Sequence, residues 1–344
     1  MNKLTRKNIL FLMCIFTLLA CHSKNNENLK TAEHQLAAIE LPKREIEPER
    51  NKKVEVIIEK DFLYTKDSLP DNYMYNKKTP REFQWEKIRQ SLASLDSMQQ
   101  GTNSWAILQN YKYIHGTPKT VKNFHRNDYD EICDSMGTRR YHSTPLYMLN
   151  DSITPVLYGG DGILVKVTGH EGNYIKVKPV YSAYSGREWM APRKFVKILN
   201  DGVVFNKVIF VDRVNQNIAT LEKVGSKWLV RSQVKATTGM HRAPYDYVTP
   251  LGIFLIQEKK YKMLYTVDGS SELAGYAPYA NRFSGGAHIH GVPTNHVDAP
   301  MIETSPTLGT IPRSHECVRT VTSHAKFIYD DWGETDQTVV VVFD

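Results

Sequence analysis

Short runs of β-branched and aromatic residues, separated by glycines and prolines, fill the second half of this 344-residue chain. The clearest run is 338–343, where four consecutive valines stand between threonine and phenylalanine. Such residues suit the pleated, half-buried surface of a sheet and are weaker helix formers. The chain is therefore predicted to be mainly β with some α, including a short helix after Cys317.

The length allows two or three domains of roughly 100–200 residues each. At 144–200, short alternating runs are punctuated by glycines, a pattern that predicts a small antiparallel barrel and is similar to bacterial SH3-like domains. At 54–143 we expect an N-terminal α/β region of unknown role. It opens with a strand and continues with an amphipathic helix that starts at Thr79-Pro80 and ends by Gly101.

The first twenty residues have a basic start and an apolar run too short to span a membrane. Residues 18–21, Leu-Leu-Ala-Cys, resemble the lipobox of bacterial lipoproteins. The resemblance implies a signal peptide at 1–20 and lipidation of Cys21. The polar segment 21–53 lacks a sustained apolar period and is predicted to be a flexible tether.

Charge and cysteine content narrow the possible functions. The formal net charge is +7, and loss of three basic residues with the signal peptide leaves 41 basic against 37 acidic residues, or about +4. This weak excess does not indicate nucleic-acid binding. Of the four cysteines, Cys133 and Cys317 would remain as thiols. One separated pair is no disulfide framework, and Cys133 is interpreted as a buried apolar residue.

Residues 314–320, Ser-His-Glu-Cys-Val-Arg-Thr, place Cys317 between a histidine and an arginine. Positive neighbours favour a thiolate, so we expect Cys317 to be partly ionised and nucleophilic. His290 is the candidate general base, and a backbone carbonyl near Gly291 is expected to fix its tautomer. His315 and the amides of Glu316 and Cys317 are expected to border an oxyanion site.

Several motifs occur in the order of a known family. They are Val211-Asp212 with Gln216, Thr238-Gly239, residues 249–254, His290-Gly291 and residues 314–319. Together they resemble the L,D-transpeptidase catalytic domain, or YkuD family, over 205–344. The resemblance implies a β-sandwich-like domain, and an enzyme of cell-wall biogenesis and cell shape. Its cysteine would form a thioester with a peptidoglycan stem tetrapeptide, release D-alanine and pass the acyl group to an amine.

The resemblance assigns roles to the residues of these motifs. Cys317, His290 and His315 are the candidate catalytic residues. The candidates for binding substrate or oxyanion are Gly291, Ser314, Glu316 and Arg319, of which Arg319 suits a substrate carboxylate. No metal or cofactor is implied. The expected partners are peptidoglycan stem peptides, the membrane through the N-terminal lipid, and carbapenem inhibitors. The expected location is the cell envelope, facing the periplasm, with the choice of inner or outer membrane left open.

Two departures from the family pattern keep other functions open. Glu316 stands where the family has glycine, and the segment between His290 and Ser314 is longer than usual. One alternative is an L,D-carboxypeptidase on the same site, with water as acceptor. Another is a catalytically degenerate lipoprotein that binds peptidoglycan. The third is a metal site drawn from four histidines and Cys317, but their irregular spacing does not favour it. The histidines are His288, His290, His296 and His315.

Overall fold

The computed structural model describes residues 55–76, 78–101, 103–184 and 187–344. The predicted signal peptide, Cys21 and the tether lie outside these residues. Within them, the α-helices are α1 (Trp85–Met98) and α2 (Thr322–Phe327), and a π-helical turn, Ile328–Trp332, continues α2. No helix of this part combines the length and apolar character needed to cross a membrane. Helix α2 is the short helix expected after the cysteine.

The strands form sheets of six, five and four strands and three two-stranded ladders. In chain order they are β1 (Ile57–Lys60), β2 (Asn72–Met74), β3 (Pro80–Glu82), β4 (Ser104–Leu108), β5 (His125–Arg126), β6 (Ile132–Cys133), β7 (Ser143–Leu146), β8 (Leu157–Gly160), β9 (Leu164–Glu171), β10 (Tyr174–Pro179), β11 (Trp189–Pro192), β12 (Val196–Ile198), β13 (Lys207–Asp212), β14 (Asn217–Val224), β15 (Lys227–Lys235), β16 (Gly252–Leu255), β17 (Glu258–Thr266), β18 (Leu273–Ser284), β19 (Ala287–His290), β20 (Val318–Arg319) and β21 (Val339–Phe343). The chain is mainly β with α, as predicted.

The six-stranded sheet has the order β1-β15-β14-β13-β21-β16. Strand β21 lies inside it, parallel to β13 and antiparallel to β16. Its four valines are all buried. A strand covered on both faces carries apolar residues at successive positions, which explains the unbroken valine run. The strand predicted at the C-terminus is confirmed.

The two faces of this sheet contact different layers. Val208 and Phe210 of β13 pack in the cluster that contains the apolar side of α1. The alternate residues Ile209 and Val211 pack with Ile289 of β19. Because successive side chains of a strand point to opposite faces, the sheet lies between α1 and the four-stranded sheet β17-β18-β19-β20. This second sheet carries the candidate site.

The N-terminal region does not follow the expected division at 54–143. Strand β1 pairs in parallel with β15 and extends the six-stranded sheet. Asp96 of α1 accepts hydrogen bonds from Trp228 Nε1 at 3.0 Å and Lys223 Nζ at 2.6 Å. The segment before β4 is therefore joined to the six-stranded sheet. Strand β1 finds its pairing partner in this sheet, and the apolar face of α1 packs against it.

Strand β4 belongs instead with the strands of 144–200. The five-stranded sheet has the order β11-β10-β9-β4-β12, so the expected boundary at 143/144 cuts through one sheet. Strands β11 and β12 form its two edges. Likeness to an SH3-like barrel stays a prediction.

The predicted start of the helix is wrong. Thr79 does not cap it, because Pro80–Glu82 forms β3 and pairs with β2, and α1 begins only at Trp85. Proline lacks an N–H group but is tolerated at the first position of an edge strand. The Thr-Pro pair therefore fits a strand start as well as a helix start.

Candidate active site

Parallel pairing of β19 with β20 brings the two chemical motifs together. Ile289 pairs with Val318, and His290 pairs with Arg319. Cys317 directly precedes β20 and therefore lies beside the His288 end of β19. Since alternate residues of a strand share a face, His288 and His290 point to the same side of the sheet. The β19–β20 pairing thus brings together two motifs that are far apart in the sequence.

Cys317 is a buried, neutral thiol. Its Sγ lies 3.6 Å from the carbonyl oxygen of Gly286, to which the S–H group donates. Burial is the main cause that raises the pKa of Cys317 to about 11; Glu316 also acts to raise the pKa, while the His288 backbone N–H and Arg319 act to lower it. The expected thiolate is therefore not present at neutral pH. The cost of burying a charge outweighs the attraction of one arginine.

His290 has the tautomer of a general base. Its Nδ1 lies 2.6 Å from the Gly291 carbonyl oxygen. A carbonyl only accepts, so Nδ1 carries the proton and Nε2 keeps a free lone pair. Burial and the charge of Arg319 lower the pKa of His290 to about 3, so the ring is neutral. No described hydrogen bond joins His290 to the sulfur in this resting state.

His288 is a second buried imidazole that the sequence analysis did not single out as catalytic. Its Nδ1 lies 2.8 Å from the Gly286 carbonyl oxygen, the same oxygen that the Cys317 thiol contacts. Its Nε2 is buried without a hydrogen-bond partner among the described residues. Burial lowers the pKa of His288 to about 4. The His-x-His spacing could have indicated this second imidazole, since side chains two residues apart on a strand lie on the same face.

Arg319 carries a positive charge beside the thiol. No described hydrogen bond or ion pair uses its side chain, and its Nε is buried without a partner. Burial lowers its pKa, while the neighbouring Cys317, Tyr265 and Asp246 act in the opposite direction. A largely buried guanidinium that forms no direct ion pair among the described residues suits a carboxylate ligand, which it can bind in a bidentate manner.

The nucleophile loop is held by its own backbone contacts. Ser314 Oγ donates to the carbonyl oxygen of Cys317. The Ser314 carbonyl oxygen accepts from the Met240 amide at 3.0 Å. Ser314 thus shapes the loop. No described backbone hydrogen bond uses the amide of Glu316 or Cys317. The role of these two N–H groups as oxyanion donors stays a prediction.

Gly291 has a packing role in addition to its carbonyl contact. A Cβ at this position would lie 2.7 Å from Thr322 Oγ1 and 2.9 Å from Pro278 Cγ. Its amide donates to the Pro278 carbonyl oxygen at 2.9 Å. Glycine therefore lets β18 and α2 approach the end of β19 closely, which fixes the position of His290.

His315 lies at the surface, with 46% of its side chain exposed. Its Nε2 is 3.1 Å from Asp246 Oδ1 and 3.1 Å from Asp268 Oδ1. The Asp246 contact is an ion-pair distance without hydrogen-bond geometry, since Asp246 Oδ1 has no hydrogen-bond partner among the described residues. The ring is thus not part of the buried group of Cys317, His288 and His290, unlike the expected placement beside the oxyanion.

Glu316 adopts a positive φ of 98°. Its carboxylate is buried, and Oε1 lies 2.6 Å from Arg139 Nη2. Its carbonyl oxygen accepts from Thr249 Oγ1 at 2.7 Å. Burial raises the pKa of Glu316, with Arg139 acting against that rise. The sequence departure from glycine therefore falls at a position whose conformation favours glycine.

A cavity of about 470 Å³ lies between the 127–142 segment and the C-terminal sheets. It reaches the nucleophile loop through Glu316, and Cys317 does not line it. The candidate site is therefore identified from its side chains and not from this cavity. Among the described residues, no group of three or more His, Cys, Asp or Glu side chains is arranged to hold a metal ion.

The pKa of Cys317 leads to a prediction for the isolated protein. Alkylation of Cys317 by iodoacetamide should accelerate about tenfold per pH unit from about pH 7 to 10, because only the thiolate reacts and its fraction rises at that rate below the pKa. Mass spectrometry of the Cys317 peptide separates this signal from Cys133. A plateau reached below about pH 8 would show a thiolate already formed and contradict the buried neutral state.

One family model matches the C-terminal part of the chain. Residues 206–342 match the YkuD family, described as an L,D-transpeptidase catalytic domain. A search of curated protein sequences found no match.

Similar solved structures include L,D-transpeptidases. One, from Mycobacterium smegmatis, is 17% identical with a TM-score of 0.32 and covers 46% of this chain and 73% of its own. L,D-transpeptidase 3 from Mycobacterium tuberculosis, solved with a faropenem-derived adduct, is 14% identical with a TM-score of 0.31 and covers 46% of this chain and 73% of its own.

A fused Zn-dependent amidase/peptidase/peptidoglycan-binding domain-containing protein from Clostridium acetobutylicum is also similar. It is 22% identical with a TM-score of 0.30 and covers 42% of this chain. The match spans 55% of the length of the Clostridium protein.

Proposed function

We propose that the protein is a cell-wall L,D-transpeptidase with Cys317 as nucleophile, on the premise that residues 206–342 match the YkuD family of L,D-transpeptidase catalytic domains. The donor substrate is a peptidoglycan stem tetrapeptide, and the acceptor is an amine of a neighbouring stem. The observation that supports the proposal is the β19–β20 register, which pairs His290 with Arg319 and brings Cys317 beside the His288 end of β19.

The first chemical step is proton transfer from the thiol. His290 Nε2 takes the proton as the sulfur attacks the carbonyl carbon of the L-to-D centre peptide bond. Because both groups start neutral, charge separates only during this step, and the thiolate and imidazolium stabilise each other. The oxyanion that forms on the substrate accepts hydrogen bonds from the amides of Glu316 and Cys317.

The intermediate collapses by breaking the carbon–nitrogen bond. The His290 imidazolium gives its proton to the departing nitrogen, D-alanine leaves as a neutral amine group that equilibrates with water, and the acyl group remains as a thioester on Cys317. The acceptor amine then attacks the thioester carbonyl and gives a proton to His290, and the thiol is regenerated. Every proton is accounted for by one imidazole that acts alternately as base and acid.

Arg319 supports substrate binding in this scheme. The terminal D-alanine of a tetrapeptide bears a carboxylate, and Arg319 is a guanidinium without a described counter-ion. Pairing removes the cost of leaving a buried cation alone, so the site favours a donor with a free terminal carboxylate.

The cellular setting follows from the N-terminal sequence. We propose that Cys21 is lipidated and that the tether holds the catalytic domain in the envelope, facing the periplasm. The sheet that contains β9 and β10 is the predicted SH3-like, wall-binding module. Metabolic labelling with a radioactive fatty acid tests the anchor, since a Cys21→Ser variant that still takes up label would contradict it.

Two other functions use the same geometry. A carboxypeptidase would hydrolyse the thioester with water in place of the acceptor amine. A degenerate wall-binding protein is favoured by one observation, namely that Glu316 adds a carboxylate next to the nucleophile and raises the pKa of Cys317. The three functions differ in their products.

Incubation with tetrapeptide muropeptides distinguishes them. The proposed function predicts free D-alanine together with cross-linked dimers, measured by chromatography and mass spectrometry. Free D-alanine with tripeptides alone would identify the carboxypeptidase. Absence of released D-alanine at any enzyme concentration would contradict both enzymes and leave the binding protein.

A further inference from the structure

Glu316 occupies a costly position directly before the nucleophile. A φ of 98° is disfavoured for a residue with a Cβ by roughly 1–2 kcal/mol. The side chain is 10% exposed, so its carboxylate has also lost most of its water. Both costs persist only if a partner compensates for them. That partner is Arg139, whose Nη2 lies 2.6 Å from Glu316 Oε1.

Arg139 comes from a different part of the chain and is itself held firmly. Asp134 orders the turn before it, because its Oδ1 accepts the amides of Met136 and Thr138 at 2.9 Å each. Asp134 Oδ2 accepts the Tyr158 amide at 2.7 Å and so ties this turn to β8. The arginine is presented by a fixed scaffold rather than by a loose loop.

Arg139 also contacts Tyr247, a residue of the 205–344 region. Its guanidinium lies over the Tyr247 ring, 3.9 Å from the ring centre. Glu131 approaches it at 3.8 Å, so the cation has a second carboxylate nearby. Tyr129, from the same segment as Arg139, stacks on Tyr247, and the two ring centres are 4.3 Å apart. The Arg139–Glu316 pair is thus one of several contacts between the 129–139 segment and the 205–344 region.

We propose that Arg139 is a positioning residue for Cys317: by binding the Glu316 carboxylate it holds the Glu316–Cys317 peptide in its strained conformation and neutralises the charge beside the thiol. The inference rests on the proposed function, and it makes the segment around β6 part of the active site. Thr249 Oγ1 also holds the Glu316 carbonyl oxygen at 2.7 Å, so the pair with Arg139 adds a side-chain restraint to a backbone one.

Loss of Arg139 has two physical consequences. The buried carboxylate of Glu316 either moves towards water, which turns the adjoining peptide and misplaces the amides, or it stays and faces the thiol without a counter-charge. In the second case Glu131 and Asp161 are the other charges facing Glu316, and both are acidic. Arg319 is then the cation that faces Cys317, and the thiol becomes harder to ionise.

A glycine at position 316 provides a control for the role of Arg139. Glycine adopts positive φ at no steric cost and carries no charge. A Glu316→Gly variant therefore needs no arginine at 139. If Arg139 acts only through Glu316, its replacement has an effect in the wild-type background and none in the Glu316→Gly background, which is the logic of a double-mutant cycle.

The experiment uses the chain with Arg139→Met, Glu316→Gly and both changes, and Arg126→Met as the matched control. Arg126 lies on the same segment and forms an exposed pair with Asp130. Three quantities are measured for each variant: the rate of carbapenem adduct formation by intact mass, the pH profile of Cys317 alkylation, and the melting temperature.

We expect Arg139→Met to slow adduct formation by at least about tenfold and to move the alkylation profile of Cys317 to higher pH. In the Glu316→Gly background the same change should alter the rate less than about twofold, and Arg126→Met should match the wild type. A lower melting temperature with an unchanged rate and pH profile would overturn the inference, as would equal slowing in both backgrounds. If the wild type forms no adduct, the proposed function fails, and the alkylation profile still decides whether Arg139 acts on the thiol.

Discussion

Replacing His290 by asparagine is expected to lower the rate of D-alanine release by about 10²–10⁴-fold. The asparagine side-chain amide can still donate to the Gly291 carbonyl oxygen, as His290 Nδ1 does at 2.6 Å, so the local fold is kept. What is lost is the Nε2 lone pair that takes the proton of the thiol. The rate is measured as D-alanine released from tetrapeptide muropeptides.

His288 provides the matched control, because it is also a buried imidazole whose Nδ1 contacts a backbone carbonyl oxygen. We expect His288→Asn to reduce the rate by less than about tenfold, since it removes a neighbouring ring and not the base. A reversed order, with His288→Asn the more damaging change, would assign the base to His288 and refute the role given to His290.

The second large effect concerns stability. Asp161→Ala is expected to lower the free energy of unfolding by about 3–5 kcal/mol, because it removes the buried carboxylate that pairs with Arg282 and leaves this cation only the partly exposed Glu258 at 3.3 Å. Asp161 Oδ2 accepts from Arg282 Nη1 at 2.7 Å and from the Gly285 amide at 3.1 Å. Asp161 Oδ1 accepts the amides of Asn110 at 2.8 Å and Tyr111 at 3.0 Å. One carboxylate thus connects the segment after β4 with the turn between β18 and β19.

Thermal unfolding measures this effect, at about 2–4 °C per kcal/mol for a domain somewhat smaller than this one. Glu59→Ala is the control, since Glu59 pairs with Lys227 at 2.7 Å and both side chains are nearly half exposed. An exposed pair contributes at most about 1 kcal/mol. Equal shifts for the two variants would contradict the stabilising role of Asp161.

The sequence predicted the elements that local pattern controls. The valine run at 338–343 became β21, and the short helix after the cysteine became α2. The motif at 314–320 and the His290-Gly291 pair lie together on β19 and β20. The family pattern has glycine at position 316, and Glu316 there has a φ of 98°, in the region that favours glycine.

What the sequence did not predict depends on contacts between distant segments. The parallel pairing of β1 with β15, and the place of β4 in the five-stranded sheet, leave no mark in the local pattern of either strand. The pKa of Cys317 was misjudged because neighbours along the chain are visible in a sequence, whereas burial is not. The partner of Glu316 was missed because Arg139 lies in a segment with no recognised motif.

The most direct test of the account is the intact mass of the protein after incubation with a carbapenem. A thiol that acts as acyl nucleophile opens the β-lactam ring and gains the mass of one inhibitor. The account predicts this adduct in the wild type and in Cys133→Ser, and its complete loss in Cys317→Ser. An adduct that persists in Cys317→Ser, or a wild type that gains no mass, would contradict the assignment of Cys317 as the nucleophile.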